Sequence, residues 1–172
     1  MRTSLLKRLG AFDPRLPHAA DMELWMRLAA NSDVGFIRGV DQAYYRVHQK
    51  NMRKGYDRLA DLRERRSVYE LVLDRYGETL PDAKSLSDRM LRQLGREALW
   101  EAGQAYGWGR AQQDDVEDLM AFAADCWPEA RTHPIYRTLR SRKRIGPRPA
   151  SFMLAHKAQW WLRRRSWKYR GV

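Results

Sequence analysis

Asp21-Met22-Glu23-Leu24-Trp25-Met26-Arg27 is the stretch on which the reading of this chain turns. It opens a run to Asn31 in which Leu24, Trp25, Leu28 and Ala29 recur at helical spacing. That periodicity predicts an amphipathic helix with these four side chains on one face. Asp21 follows a loop and precedes the run, which is where a helix N-cap is found. On that reading Trp25 packs in the core and Arg27 pairs with a nearby carboxylate.

Upstream, residues 1–9 read as a short helix capped by Ser4, with Leu5, Leu6 and Leu9 on its apolar side. Gly10 stops it, because glycine accepts a left-handed backbone. Pro14 then fixes its own φ and pushes Asp13 out of the helical region. Downstream, Val34-Gly35-Phe36-Ile37 and Val40 to Val47 read as short strands, followed by a polar loop, Gln49–Gly55.

The middle of the chain is helical. Asp57 to Tyr76 begins on a capping aspartate and ends at Gly77, with Leu59, Leu62, Tyr69, Leu73 and Tyr76 down one side. Leu86 to about Ala105 carries Leu86, Met90, Leu94, Ala98 and Ala102 in line. Asp114 to Trp127 opens on a capping-box pair, Asp114 and Glu117, and Pro128 stops it. The last two read as a helical hairpin, and Ala98, Ala102, Gly103 and Ala105 allow close contact. The expected fold is therefore mainly α with a small β component.

The composition, 44% hydrophobic and 31% charged, fits a globular protein. No run approaches the ~20 apolar residues of a membrane-spanning helix. The first residues are too few and too charged for a signal peptide. One cysteine, Cys126, excludes an internal disulfide and a cysteine-based zinc site. A reducing cytoplasm is the natural compartment.

The net charge of +12 is concentrated at the C-terminal end. From Ala130 onward there are 13 Lys or Arg and no Asp or Glu; the preceding residues hold the other 20 of the 33 cations and all 21 acids. A basic tail on a near-neutral body reads as an address or an anchor. Residues 140–149 form a basic linker broken by Pro and Gly. Ala150 to Tyr169 reads as a final helix, in which Trp160, Trp161, Arg163, Arg164, Arg165, Trp167 and Lys168 interleave rings with cations. Three readings stay open for this tail: docking on the chain's own helices, an anionic membrane surface on the inner face, or, less favoured, a nucleic acid. Trp and Tyr suit the headgroup level, and each Lys or Arg near an anionic leaflet contributes ~1 kcal/mol. Stacking rings with cations also suit single strands, but no RNA-binding motif accompanies them.

Three blocks carry a resemblance: Gly10-Ala11-Phe12-Asp13, Asp21 to Arg27, and Tyr45-Arg46-Val47-His48. Their order and spacing resemble the second half of the catalytic domain of family 2 glycosyltransferases, the nucleotide-sugar-dependent enzymes of the GT-A fold. The resemblance implies that Asp21 is the general base that removes the proton from the acceptor hydroxyl. An alcohol is a poor nucleophile, and such assistance contributes ~10²–10⁴-fold. A carboxylate there also suits the positive end of the helix. Ala20 departs from the pattern, which has a glutamate before the aspartate. Trp25 and Arg27 would line the acceptor side, with Trp25 as a sugar-stacking surface or simply as core. Arg46 and His48 would lie near the donor diphosphate and its metal, His48 as a ligand to Mg²⁺ or Mn²⁺.

What is missing also guides the reading. The sequence has no Gly-rich phosphate loop, no Asp-x-Asp at the end of an apolar strand, and no βαβ half to bind a nucleotide. The resemblance covers about residues 1–54, the acceptor-side half of a domain. Residues 55–139 follow as a helical accessory region and 140–172 as the basic linker and tail helix. The expectation is a truncated or fragmentary inverting glycosyltransferase, or one with a misplaced start. By itself it would be inactive and bind no cofactor tightly. Its full-length relative would transfer a sugar from a nucleotide-diphospho-sugar to a saccharide or lipid-linked hydroxyl. The alternative is a non-catalytic helical binding module whose tail is the working part.

Overall fold

The computed structural model describes residues 1–39, 41, 43–44, 46, 57–107 and 113–142. It is mainly helical. Among the described residues, six α-helices run α1 Thr3–Leu9, α2 Ala20–Ala29, α3 Arg58–Tyr76, α4 Ala83–Gly107, α5 Gln113–Cys126 and α6 Pro134–Arg142, with a 3₁₀ turn, Pro128–Thr132, between the last two. The chain divides into two compact units, Met1–Met90 and Leu91–Val172, and α4 begins in the first and continues into the second.

In the first unit, α2 packs on both α1 and α3. Its core gathers Leu16 and Ala19 from the entry to α2 with Val68 and Val72 from α3. Ala20, Met22, Met26, Leu71 and Tyr76 close around them. The inward side of α3 is thus turned about one position from the expected Tyr69–Leu73 row, although Leu59 and Leu62 are buried as expected. The start of α3 follows the sequence rule: the Asp57 carboxylate accepts from the Ala60 N–H at 2.8 Å. α1 begins at Thr3, one residue before the expected cap Ser4, and no side chain caps it.

The expected strands are not seen among the described residues. Val34–Ile37 forms neither helix nor strand, and Val34, Phe36 and Ile37 are exposed. A strand gains its backbone hydrogen bonds only from a neighbour, and none lies beside this segment among the described residues. Val40, Gln42, Tyr45 and Val47 of the second expected strand lie outside the described residues, as do 143–172 with the expected tail helix.

In the second unit, α4 and α5 form the expected hairpin. Leu94, Ala98, Leu99 and Ala102 of α4 and Leu119, Phe122 and Ala123 of α5 are buried. α4 comes close to the end of α5 at Gly95. A Cβ there would lie 2.9 Å from Trp127 Cβ and 3.0 Å from the Ala123 carbonyl oxygen. Only a residue without a side chain fits. After α5, Trp127 is extended and Pro128 opens the 3₁₀ turn, so the helix ends where the sequence placed its stop.

Candidate functional site

The site is built on α2, whose two sides have opposite characters. Glu23, Leu24, Arg27 and Leu28 are buried, whereas Asp21 and Trp25 face solvent. Trp25 is 60% exposed. This corrects its placement on the apolar face: the core side of α2 is turned toward Glu23 and Arg27, and the indole is left outside. Residues four apart on a helix are surface neighbours. Asp21 and Trp25 therefore set a carboxylate beside an exposed aromatic ring.

Asp21 is not the cap of this helix. Ala19 occupies the N-cap position and has no side-chain oxygen to offer. Asp21 lies in the first turn, and its Oδ1 accepts from the N–H of Met22 at 2.7 Å. The capping role has passed to a distant residue. Glu64 of α3 accepts from the N–H of His18 and the N–H of Ala19, both at 2.8 Å through Oε1. A carboxylate there satisfies donors just before α2 and complements the positive end of its dipole. With capping supplied by Glu64, the Asp21 carboxylate remains at the surface.

Arg27 holds the other side. Its Nε donates to Glu23 Oε1 at 2.8 Å and its Nη2 to Oε2 at 2.9 Å, a bidentate pair one helical turn apart. Nη2 also donates to the Ala11 carbonyl at 2.7 Å, and Nη1 to the carbonyls of Gly10, at 3.1 Å, and Leu9. The guanidinium thus ties the C-terminal end of α1 to α2. Its hydrogen bond with Glu23 raises its pKa above the usual arginine value. Gly10 makes the close pass of the chain with φ near +90°, a backbone that favours glycine. The expectation that Arg27 pairs with a carboxylate holds, and Glu23 is that partner.

The turn before α2 carries a second ion pair. Arg15 donates from Nη2 to Asp13 Oδ2 at 2.7 Å and from its backbone N–H to Oδ1 at 2.9 Å. The side-chain bond and then the backbone bond hold the Asp13 carboxyl down to about 2.

Of the other expected site residues, Arg46 is exposed. His48 lies outside the described residues, as do Trp160, Trp161, Arg163, Arg164, Arg165, Trp167 and Lys168. Among the described residues, no group of three or more His, Cys, Asp or Glu gathers to hold a metal. Glu23 and Glu64 were not singled out by sequence reasoning. Glu23 stood one turn before Arg27 at ion-pair spacing, a signal open to reading. Glu64 acts on residues 45 and 46 positions away, which no local pattern reveals.

Compared with known proteins, the chain matches no family model, no curated protein and no solved structure.

Proposed function

We propose that residues 1–54 are the acceptor side of an inverting, nucleotide-sugar-dependent glycosyltransferase, with Asp21 as general base. The observation that carries this reading is the exposed Asp21–Trp25 face of α2. An indole offers a broad apolar surface to the C–H face of a sugar. The neighbouring carboxylate then accepts the proton of the attacking hydroxyl. Glu64 supports the role by capping α2, and the Arg27–Glu23 pair by fixing the helix against the end of α1. A base set on a braced helix keeps its position during reaction. The exposed Val34, Phe36 and Ile37 add a second support. An apolar run of this kind is what a sheet strand presents before its neighbours are added.

In the reaction, the acceptor oxygen bonds to the anomeric carbon of the donor as Asp21 takes its proton. The bond from that carbon to the nucleoside diphosphate breaks, and the diphosphate leaves with the electron pair, inverting the centre. The metal that the resemblance implies would offset charge on that leaving group. The described residues bind, orient and take the proton on the acceptor side only.

The test joins a donor-binding segment to this chain. Asp21→Asn, in a protein that joins this chain to a nucleotide-binding βαβ segment, should lower turnover ~10²–10⁴-fold. Folding should be unchanged, because Glu64 and not Asp21 caps α2. Near-normal turnover by the variant would place the base elsewhere. The 172-residue chain by itself should not consume a nucleotide-sugar.

A further inference from the structure

In the second unit, the junction between the 3₁₀ turn and α6 is a single residue, His133. Its N–H ends the turn by donating to the Ala130 carbonyl at 3.0 Å, and its own carbonyl accepts from the Arg137 N–H at 3.1 Å, opening α6. Its backbone is extended, with φ −64° and ψ 137°, the conformation of a helix N-cap. The ring completes that role, because Nδ1 accepts from the Ile135 N–H at 3.3 Å. No acidic side chain stands in the first turn of α6 to take over. The half-buried ring lies against Trp127, with centroids 5.7 Å apart and planes at 66°. Beyond this cap, α6 has little to hold it. A helix of 9 residues is too short to persist alone, and Leu139 is its one buried side chain among the described residues.

We infer that His133 is a proton-operated latch on α6: the neutral ring caps the helix and holds it in the second unit, and protonation releases it. A neutral imidazole has one acceptor nitrogen, and here that nitrogen meets the helix. An imidazolium has none, so protonation aims a donor at the Ile135 N–H, itself a donor. It also sets a positive charge at the positive end of the helix dipole. Burial, and then the Arg96 cation of α4, lower the pKa of the ring. Trp127, after α5, brings no charge. Asp125 in the last turn of α5, Glu129 and Arg131 in the 3₁₀ turn, and Arg137 and Arg140 on α6 are exposed, where water and salt weaken their effect on the ring. No other histidine lies between positions 91 and 142, and histidine is the side chain whose ordinary titration falls near neutral pH. Release uncovers Leu139. This inference does not use the sugar-transfer reading and stands or falls without it.

The test is amide hydrogen exchange of the isotope-labelled full chain, followed by NMR from about pH 7.5 to about pH 5, the range in which histidines titrate. Protection of the Thr138, Leu139 and Arg140 amides, corrected for intrinsic exchange, should fall about fivefold or more, the effect of losing a helix cap. The Leu94, Ala98 and Phe122 amides of α4 and α5 should keep their protection. The fall should begin near the ordinary histidine value of 6.5 and level off below the pH at which the ring signals of His133 titrate. Arg96→Gln should raise that ring midpoint and shrink the fall. His133→Asn keeps a capping side chain that does not titrate, so α6 should stay protected throughout. The measurements on the unaltered chain need no variant to fold. Protection of α6 that does not change with pH, or that changes outside the window set by His133, overturns the inference. So does a fall shared equally by α4 and α5, which is unfolding of the whole unit, or a fall that persists in His133→Asn.

Discussion

Replacing Arg27 by Met leaves the Glu23 carboxylate in the first unit without its partner. Both residues are 4% exposed, and the guanidinium donates to both oxygens of that carboxylate. Removing one member of a buried ion pair typically costs 3–5 kcal/mol, because the other charge stays buried. The lost bonds to the carbonyls of Gly10 and Ala11 add little, since these residues are exposed and water takes over. The expected loss is therefore about 3–5 kcal/mol, a large share of the 5–15 kcal/mol of an ordinary domain. With a urea m-value of roughly 2 kcal/mol per molar, the unfolding midpoint falls by about 2 M. The assay is urea unfolding followed by helical circular dichroism. Arg27→Lys should recover part of the loss, because an ammonium keeps the charge but not the planar fork. Arg27→Met combined with Glu23→Leu should recover most of it, since an apolar pair replaces a buried ion pair at little cost. A loss under about 1 kcal/mol for Arg27→Met alone would mean that the pair acts as a surface contact and not as a buried one.

Three other outcomes follow from the same structure. Gly95→Ala should destabilise the α4–α5 hairpin by about 1–3 kcal/mol in a thermal or urea melt, because the new methyl meets backbone and Trp127 Cβ within 3.0 Å. The Asp13 carboxyl, held at about 2 by Arg15, should titrate there by NMR. Its stabilising effect is complete above the ordinary carboxylate pKa and is lost as pH falls from about 4 to 2. Arg15→Ala should return the titration to the ordinary range. Burial, then Arg96, lowers the pKa of His133, whose Nδ1 accepts from the Ile135 N–H at the start of α6. The unfolded chain thus takes up the proton first, so stability contributed by His133 is present above its ordinary value of 6.5 and declines as pH falls below it. A pH series of melts for His133→Gln should lack that decline.

Local rules read the chain well where the interactions are local. The Asp57 cap, the Gly10 stop and the Pro128 break all stand where their chemistry placed them, because each acts within a turn of its own position. The face of α2 was misread because Trp25 and Leu24 satisfy the helical period equally well. What decided between them was the Arg27 guanidinium, drawn inward by carbonyls 16 to 18 residues away. A charged pair thereby took positions that hydrophobicity assigns to the core. Asp21 looked like a cap for the same reason that it looked like a base: an acid at a helix start suits both. Glu64 separates the two roles, and its contact spans 45 residues or more. The close approach at Gly95 depended on the register of α5 against α4, which no periodicity within either helix fixes.

NMR titration of the isotope-labelled full chain with oligosaccharides tests whether the Asp21–Trp25 face receives a saccharide acceptor, as proposed. Shifts are expected at the Trp25 indole N–H and at the Asp21 and Met22 amides, lost on Trp25→Ala while the signals of α4 and α5 stay in place. Shifts confined to other residues, or the same shifts in the Trp25→Ala chain, would contradict it.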